Sequence, residues 1–519
     1  MSLRAADRLP ERFNAAEGFV GRHVREGRGD RTAVVWDGGE MNYAALDESV
    51  RRYAGWLREA GLHPGDRAAL LLPDGPELLA GFWGALAAGC VAVPLNTLLP
   101  GKDLAAILDD CDPRLAVVDP TIADPERLAR EGTEVVAADE AATRAREARA
   151  AGAYAPIHRD AFAFFLYTSG TTGEPKGAVH LHHDPWVCSA TYGERVLGIR
   201  PDDRCLSLAK LFFAYGLGNS GYFPAHVGAA SILYGGRPTP EAMFEQIARH
   251  RPTLFFAVPT AYAQMLAALE EGAAADFSSL RLCVSAGEAL PAPIFERWLE
   301  RTGTEILDGI GSTEICHIFL SNRPGACDPG TTGTPVPGYD LRLVDEEGKP
   351  VPAGTPGDLL VRGDSTMAFY WNRHEATKAT VEGDWIRTGD KYLVDEEGSW
   401  RHAGRSDDML KVSGIWVSPV EVEGTLLEHP AVLECAVVGE EDREGLVKPT
   451  AFVVLKEGAS AGAGDEGRTG LGRELQDFVK ERLARHKYPR RVVFRNALPK
   501  TATGKIRRFL LREELREDG

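Results

Sequence analysis

The spacing of apolar and polar residues divides the chain into two textures. From Glu40 to Gly61 (EMNYAALDESVRRYAGWLREAG) apolar residues recur at helical spacing, and a glycine closes the run. DRAALLLP follows as an unbroken apolar run, as expected for a buried strand. Leu78–Leu95 (LLAGFWGALAAGCVAVPL) has no charge and is about long enough to span a bilayer. Gly89, however, fits a helix C-cap, and CVAVPL after it reads as a buried strand, so helix, glycine turn and strand are expected there. RLAVVD, SILYG, TLFFAVP and LRLCVSAG are further short apolar runs, and the helical stretches PEAMFEQIARH and APIFERWLERTG separate some of them. Such alternation implies α/β architecture: mostly parallel sheets with helices on their faces.

The texture changes near Gly330. GTTGTPVPGYDLRLVDEEGKPVPAGTPGDLLVRG is rich in Gly, Pro and Thr, with acidic turns between short strands, and predicts β-hairpins. After Arg405 comes a smaller α/β segment. EVEGTLLEHP predicts a helix, AVLECAVVGEED and TAFVVLKEG predict strands, and GRELQDFVKERLARH predicts a second helix. The stretch from Gly458, GASAGAGDEGRTGLG, reads as a flexible loop by composition.

At 519 residues the chain holds more than one domain. Its 59 Lys+Arg against 76 Asp+Glu give a net charge of −17, which argues against a nucleic-acid or anionic-membrane partner unless cations cluster. They do cluster at one place: Arg482 to Arg512 contains 11 Lys+Arg and no Asp or Glu. No nucleic-acid recognition motif accompanies that stretch. The eight cysteines are scattered without a Cys-x-x-Cys pair, so reduced, mostly buried thiols in a cytoplasmic protein are expected. The first residues, MSLRAADRLPERFNAAEGF, carry no apolar signal core, and no export is expected.

The strongest local signal is YTSGTTGEPKG, Tyr167–Gly177, directly after the apolar strand FAFFL. A turn of small and hydroxyl residues exposes many N–H groups, and Lys176 adds a cation; such a loop suits phosphate oxygens. It is not the G-x-x-x-x-G-K-[ST] loop, because Gly177 follows the lysine. Further motifs follow in order: SAGEAL (Ser285–Leu290), DGIGSTE (Asp308–Glu314), TGD (Thr388–Asp390), GRSDDMLKVSG (Gly404–Gly414) and PKTATGK (Pro499–Lys505). On these residues the chain resembles the adenylate-forming superfamily of acyl-CoA synthetases, luciferases and adenylation domains, over nearly its whole length.

The resemblance implies a large N-terminal domain, 1–404, made of two doubly wound α/β subdomains and a β-rich subdomain. A hinge, 405–408, and a small mobile α+β C-terminal domain, 409–519, follow. It implies two half-reactions: a carboxylate attacks the α-phosphorus of ATP, giving an acyl-adenylate and pyrophosphate, and a thiol then displaces AMP. Thr168, Ser169, Gly170, Thr171, Thr172, Gly173 and Lys176 would hold the phosphates. Gly287, Glu288, Asp308, Gly309, Ile310, Ser312 and Thr313 would line the adenine side, and Asp390 with Arg405 the ribose. Glu314, with Thr171, would serve Mg²⁺, and Lys505 would offset the repulsion of two approaching anions. Asp407 falls at the hinge, and Lys411, Ser413 and Gly414 at a tunnel for the pantetheine of coenzyme A.

Two further segments bear on the acid. KLFFAYGLGNSGYFP (Lys210–Pro224) and ICHIFLSN (Ile315–Asn322) resemble the benzoate–CoA ligase branch. That likeness places Phe213, Ala214, Tyr215 and Gly216, with Ile315, His317 and Ile318, around an aryl ring, and His317 or Tyr215 as a partner for a polar ring substituent. Other readings are a short or medium aliphatic acid, a stand-alone adenylation enzyme loading a carrier protein, and a nucleotide-binding regulator without catalysis. Implied partners are small molecules, namely acid, ATP and CoA, with no nucleic acid or membrane; a homodimer is left open. The histidines of HLHHDP (His180, His182, His183) invite a metal reading, but they lie where family members start a helix and no metal role is expected.

Overall fold

In the computed structural model, residues 4–169, 175–406, 408–412, 415–441, 447–456, 465–500 and 506–517 are described. Two mostly parallel sheets form the bulk of the chain. In the first, Glu134–Ala137, Leu115–Val118, Arg67–Leu71, Val91–Pro94, Phe162–Ser169 and Pro175–Leu181 lie side by side in that order. All neighbours are parallel except the last pair, which is antiparallel.

The uncharged run Leu78–Leu95 resolves as helix Pro76–Ala88, Gly89 and strand Val91–Pro94. Gly89 sits at φ 84°, where a side chain would be strained, and its N–H returns to the last helical turn as a C-cap. No described helix is long and apolar enough to cross a membrane. The helix is instead buried in one large apolar cluster, and the strand lies between that cluster and a second one.

The second sheet has nine strands, and its central run Ile306–Gly311, Leu282–Ser285, Leu254–Ala257, Arg204–Ser207, Ala230–Ile232 and Thr32–Trp36 is parallel throughout. The loops leaving the carboxyl ends of such strands are where ligands bind in open α/β sheets. Here those loops include SAGEAL after Ser285, the end of DGIGSTE after Gly311, and the aromatic segment after Ser207.

The Gly-, Pro- and Thr-rich region forms an antiparallel sheet of Asp340–Val344, Gly357–Arg362, Trp385–Val394, Val381–Glu382 and Trp400–Arg405. The C-terminal segment packs helices Pro419–Leu427, Asp465–Arg482 and Arg508–Glu517 on a three-stranded sheet of Val432–Glu441, Val447–Leu455 and Arg491–Arg495. One expectation changes here. The predicted loop from Gly458 extended to Gly472, yet the helix already begins at Asp465. Leu471, Leu475 and Val479 pack into the C-terminal core and hold the helix. Propagating it back through weak formers costs far less than starting it. Residues 458–464 lie outside the described residues.

Candidate active site

A cleft of about 2420 Å³ opens at the carboxyl ends of the nine-stranded sheet, between that face and the C-terminal segment. Thr168, Lys176, Phe213, Gly287, Glu288, Asp308, Gly309, Ile310, Ser312, Thr313, Glu314, Asp390 and Arg405 all reach its wall. Residues separated by more than 200 positions in sequence are therefore brought to one surface.

At one end of the cleft stands Glu314, in a single 3-10 turn, Thr313–Ile315. The Tyr370 hydroxyl donates to Glu314 Oε1 at 2.5 Å. Burial, and then the Glu314 charge, hold the Tyr370 phenol well above its ordinary pKa, so it stays a donor. Lys176 Nζ lies over the same Tyr370 ring, 5.6 Å from its centroid. Thr168 and Lys176 face each other in register on adjacent antiparallel strands. A cation, a carboxylate and a phenol thus meet on one wall. Mg²⁺ bound with a nucleotide is held chiefly by phosphate oxygens and one or two carboxylates. A lone Glu314 fits that pattern, and no cluster of three or more His, Cys, Asp or Glu that would suit a metal occurs among the described residues.

Asp390 and Arg405 are direct partners across antiparallel strands Trp385–Val394 and Trp400–Arg405. Arg405 Nη1 lies 3.4 Å and His402 Nε2 3.5 Å from Asp390 Oδ1. Gly389, at φ 77°, lets Arg405 lie over the backbone: a Cβ there would sit 2.8 Å from Arg405 Nη2. Asp308 is buried, and burial lifts its carboxyl to about 8 despite the opposing N–H groups of Leu290 and Gly309 and the Thr332 hydroxyl. Its Oδ1 has no hydrogen-bond partner among the described residues. A buried polar atom without a partner beside a cleft suits a ligand that brings its own donor or acceptor.

The aryl residues do not share that wall. Phe213 reaches the cleft, whereas Ala214, Tyr215, Gly216, Ile315, His317 and Ile318 are not part of its wall. His317 is enclosed by Phe223, Tyr192 and Tyr215, with ring centroids 4.5, 5.7 and 5.7 Å away. Its Nε2 faces two acceptors, Tyr215 O at 3.3 Å and Asn219 Oδ1 at 3.2 Å, and so carries the hydrogen. Burial lowers the imidazole pKa to about 3, so the ring is neutral. Its Nδ1 is then an acceptor, and it has no partner among the described residues. The Tyr215 hydroxyl is already committed to Val284 O at 3.1 Å and Ala257 O at 3.3 Å. Of the two polar handles expected, His317 offers an unpartnered acceptor among the described residues, and Tyr215, its one hydrogen turned to those carbonyls, retains acceptor lone pairs. Gly218 presses on the same ring, for a Cβ there would lie 2.2 Å from His317 Cδ2.

The C-terminal segment reaches the site through Ile506, whose N–H donates to Glu288 Oε1 at 3.2 Å. Lys505 itself, Gly170, Thr171, Thr172, Gly173, Asp407, Ser413 and Gly414 lie outside the described residues, as do the side chains of Ser169 and Lys411. The basic stretch proves less available to phosphate than its composition implies. Arg482, Lys487, Arg491, Arg495, Lys500, Arg508 and Arg512 all pair with carboxylates: Glu428, Glu421, Glu440, Glu514, Glu434, Glu423 and Asp408.

Sequence reasoning missed Tyr370 and His402. Tyr370 is 56 positions from the Glu314 it binds, and no motif spacing links them. His402 lies on the strand paired with that of Asp390, so a hairpin register drawn through TGD would have pointed to it.

Two family models match the chain: AMP-binding enzyme over residues 21–371, and AMP-binding enzyme C-terminal domain over residues 421–505. The chain belongs to the AMP-binding enzyme family. Among characterised family members it is 48% identical to a benzoate–CoA ligase of Thauera aromatica, over 98% of this chain and 97% of that one. A solved benzoate CoA ligase from Burkholderia xenovorans LB400 superposes with a TM-score of 0.89 at 46% identity, covering 96% of this chain and 100% of that one. An anthranilate CoA ligase in complex with anthranoyl-AMP superposes with a TM-score of 0.94 at 42% identity, covering 99% of each.

Proposed function

We propose that the protein is an AMP-forming aryl-CoA ligase that joins benzoate, or a close aryl carboxylate, to coenzyme A at the expense of ATP. One observation carries the reading: Lys176, Tyr370 and Glu314 share a cleft with the Asp390–Arg405 pair, and the aromatic enclosure of His317 lies three residues along the chain from Glu314.

Asp390 accepts the ribose hydroxyls, with Arg405 beside it. The buried Asp308 and the backbone from Gly309 to Thr313 line the adenine. Thr168 and the glycine-rich loop present donors to the β- and γ-phosphates, and Lys176 offsets their charge. Glu314 would hold Mg²⁺, which when bound with ATP neutralises phosphate charge; the Tyr370 hydroxyl fixes the Glu314 carboxylate. The aryl carboxylate oxygen attacks the α-phosphorus, the bond to the bridging oxygen breaks, and pyrophosphate leaves. Lys505 is assigned to hold the two anions together in this step. Its chain neighbour Ile506 already touches the adenine-side Glu288, which supports that assignment.

Rotation of 409–519 about 405–408, with Asp407 as the hinge residue, then brings Lys411, Ser413 and Gly414 to the thiol path. The thiol sulfur attacks the acyl carbon, and AMP leaves with the electron pair of the acyl–oxygen bond. The substrates are small molecules, and we place the enzyme in the cytoplasm; neither nucleic acid nor membrane enters the reading.

Purified protein with benzoate, ATP, Mg²⁺ and CoA should release AMP only when CoA is present; release independent of CoA would sink the ligase reading in favour of carrier loading. Lys505→Ala should abolish adenylate formation far more than thiol transfer from preformed benzoyl-adenylate. Equal loss in both half-reactions would remove Lys505 from the first.

A further inference from the structure

His180 takes no direct part in the reading above, yet it is fully buried and sits between the two arms of the site. It lies on strand Pro175–Leu181, four residues after Lys176. One face of its ring stacks on Phe164, with centroids 5.1 Å apart and planes 23° apart. Phe164 belongs to strand Phe162–Ser169, which runs into the glycine-rich loop. Nε2 of His180 lies 2.8 Å from Thr313 O, the carbonyl immediately before Glu314. A carbonyl only accepts, so Nε2 carries a hydrogen. Nδ1 lies 2.7 Å from Oδ2 of the buried Asp184, which also accepts the Leu181 N–H at 3.1 Å.

Among the described residues the Thr313–Ile315 turn is also closed by Ile315 N–H to Ser312 O and Cys316 N–H to Thr313 O, both at 3.2 Å, and is tied outward by its carbonyls and by Tyr370. Met367 N–H donates to Glu314 O at 2.7 Å, and Ser365 Oγ to Ile315 O at 2.9 Å. Cys316 then leaves the turn at φ 71°, a strained conformation for a residue with a side chain. A single turn with one strained exit has little stiffness of its own. Of its three carbonyls, the first meets the strand that bears Lys176.

We propose that His180, seated by Asp184, is a positioning residue that fixes Glu314 relative to Lys176 and so sets how the site engages Mg·ATP. This rests on the assignment of Glu314 to the metal side. Groups that orient a metal-binding side chain through one intervening contact typically change metal affinity or activity by about 10–100-fold when removed.

The test separates the two ring nitrogens. Glutamine in place of His180 puts an amide nitrogen near the position of Nε2 and keeps a donor for Thr313 O. Asparagine reaches only the Nδ1 position and loses it. ATP affinity is measured by calorimetry without acid substrate, once with Mg²⁺ and once with EDTA, and thermal melting is recorded alongside. His180→Asn should lose about tenfold of the Mg²⁺-dependent gain in ATP affinity, whereas His180→Gln should keep most of it. Affinity in EDTA should stay near that of the unmodified protein in both.

Equal behaviour of the two variants overturns the proposal, and so does a change confined to the melting temperature. If either variant fails to fold, Asp184→Asn replaces it. That change leaves the ring and its bond to Thr313 but weakens its seating, and an unaltered Mg²⁺-dependent affinity then overturns the proposal. If the unmodified protein shows no Mg²⁺-dependent affinity at all, the metal-side assignment of Glu314 fails and this inference falls with it. If that affinity is present while no benzoyl-adenylate forms, only the aryl-acid reading fails.

Discussion

Asp390→Ala gives the sharpest test of the nucleotide side. Asp390 is 8% exposed, and its contacts with Arg405 and His402 are long, at 3.4 and 3.5 Å. A carboxylate has about four acceptor sites, so it can take two ribose hydroxyls while keeping those contacts. Hydrogen bonds to a charged acceptor contribute about 1.5–3 kcal/mol each, and two would contribute about 3–6 kcal/mol. Arg405 and His402 already draw on the same charge, so the lower end, about 3 kcal/mol, is the reasoned expectation. That corresponds to roughly 150-fold weaker ATP binding.

The assay is calorimetry of Mg·ATP binding without acid, repeated with 2′-deoxy-ATP and 3′-deoxy-ATP. The unmodified protein should lose about tenfold on omission of either hydroxyl, corresponding to about 1.4 kcal/mol. Asp390→Ala should lose nothing further, because the partner is gone; this makes the comparison a double-mutant cycle. A variant that still discriminates against the deoxynucleotides by the same factor would refute the ribose assignment. So would an ATP affinity within about threefold of the original, which is under 1 kcal/mol.

Further outcomes follow from the packing and the buried titratable groups. Gly218→Ala should drive a Cβ into the His317 ring and raise KM for benzoate with KM for ATP unchanged; equal changes in both would place Gly218 outside the acyl pocket. Gly216→Ala meets backbone carbonyls, Lys210 O at 2.1 Å and Ala209 O at 2.4 Å, which cannot yield. It should destabilise by at least about 1–3 kcal/mol in urea unfolding, and an unchanged midpoint would contradict the packing.

Burial lowers the pKa of His182 to about 3, so the unfolded chain binds the extra proton between its ordinary 6.5 and about 3. Stability is therefore fully present above about pH 6.5 and falls as pH drops through that window. His182→Asn keeps an acceptor for the Ala15 N–H and should flatten this part of the pH–stability curve. Asp308 behaves oppositely. Its carboxyl is raised to about 8, so the folded state holds the proton while the unfolded chain ionises near 3.8. Its contribution is greatest below about pH 4 and is lost as pH rises toward 8. Asp308→Asn should gain on the unmodified protein between pH 5 and pH 8 in urea midpoint, and a parallel pair of curves would contradict the burial.

What was legible in the sequence was local. The helix, glycine and strand within Leu78–Leu95 follow from one stretch of chain, and Gly89 takes the left-handed cap that its position implies. The motif residues fall at strand ends because apolar runs and the small residues after them are contiguous. What escaped was long-range pairing. Tyr370 finds Glu314 only because a segment after the second sheet returns across the cleft, an event without sequence periodicity. The run Arg482–Arg512 looked like a cationic surface because its carboxylate partners lie elsewhere in the chain. The glycine-rich interval from Gly458 suggested a longer loop because composition does not reveal how far a helix anchored by Leu475 and Val479 extends backwards.

Cys316 has a consequence for how such an enzyme changes its diet. Its left-handed backbone turns the chain over between Glu314, which lines the cleft, and His317, which sits in the aromatic enclosure. Two functions separated by three positions therefore lie on opposite sides of one bend. Substitutions at His317, or in the Lys210–Pro224 segment around it, act on the enclosure side of that bend. The bend divides an inherited engine from an interchangeable tool head, and libraries seeking new aryl acids should vary the residues after it while leaving Thr313–Cys316 untouched.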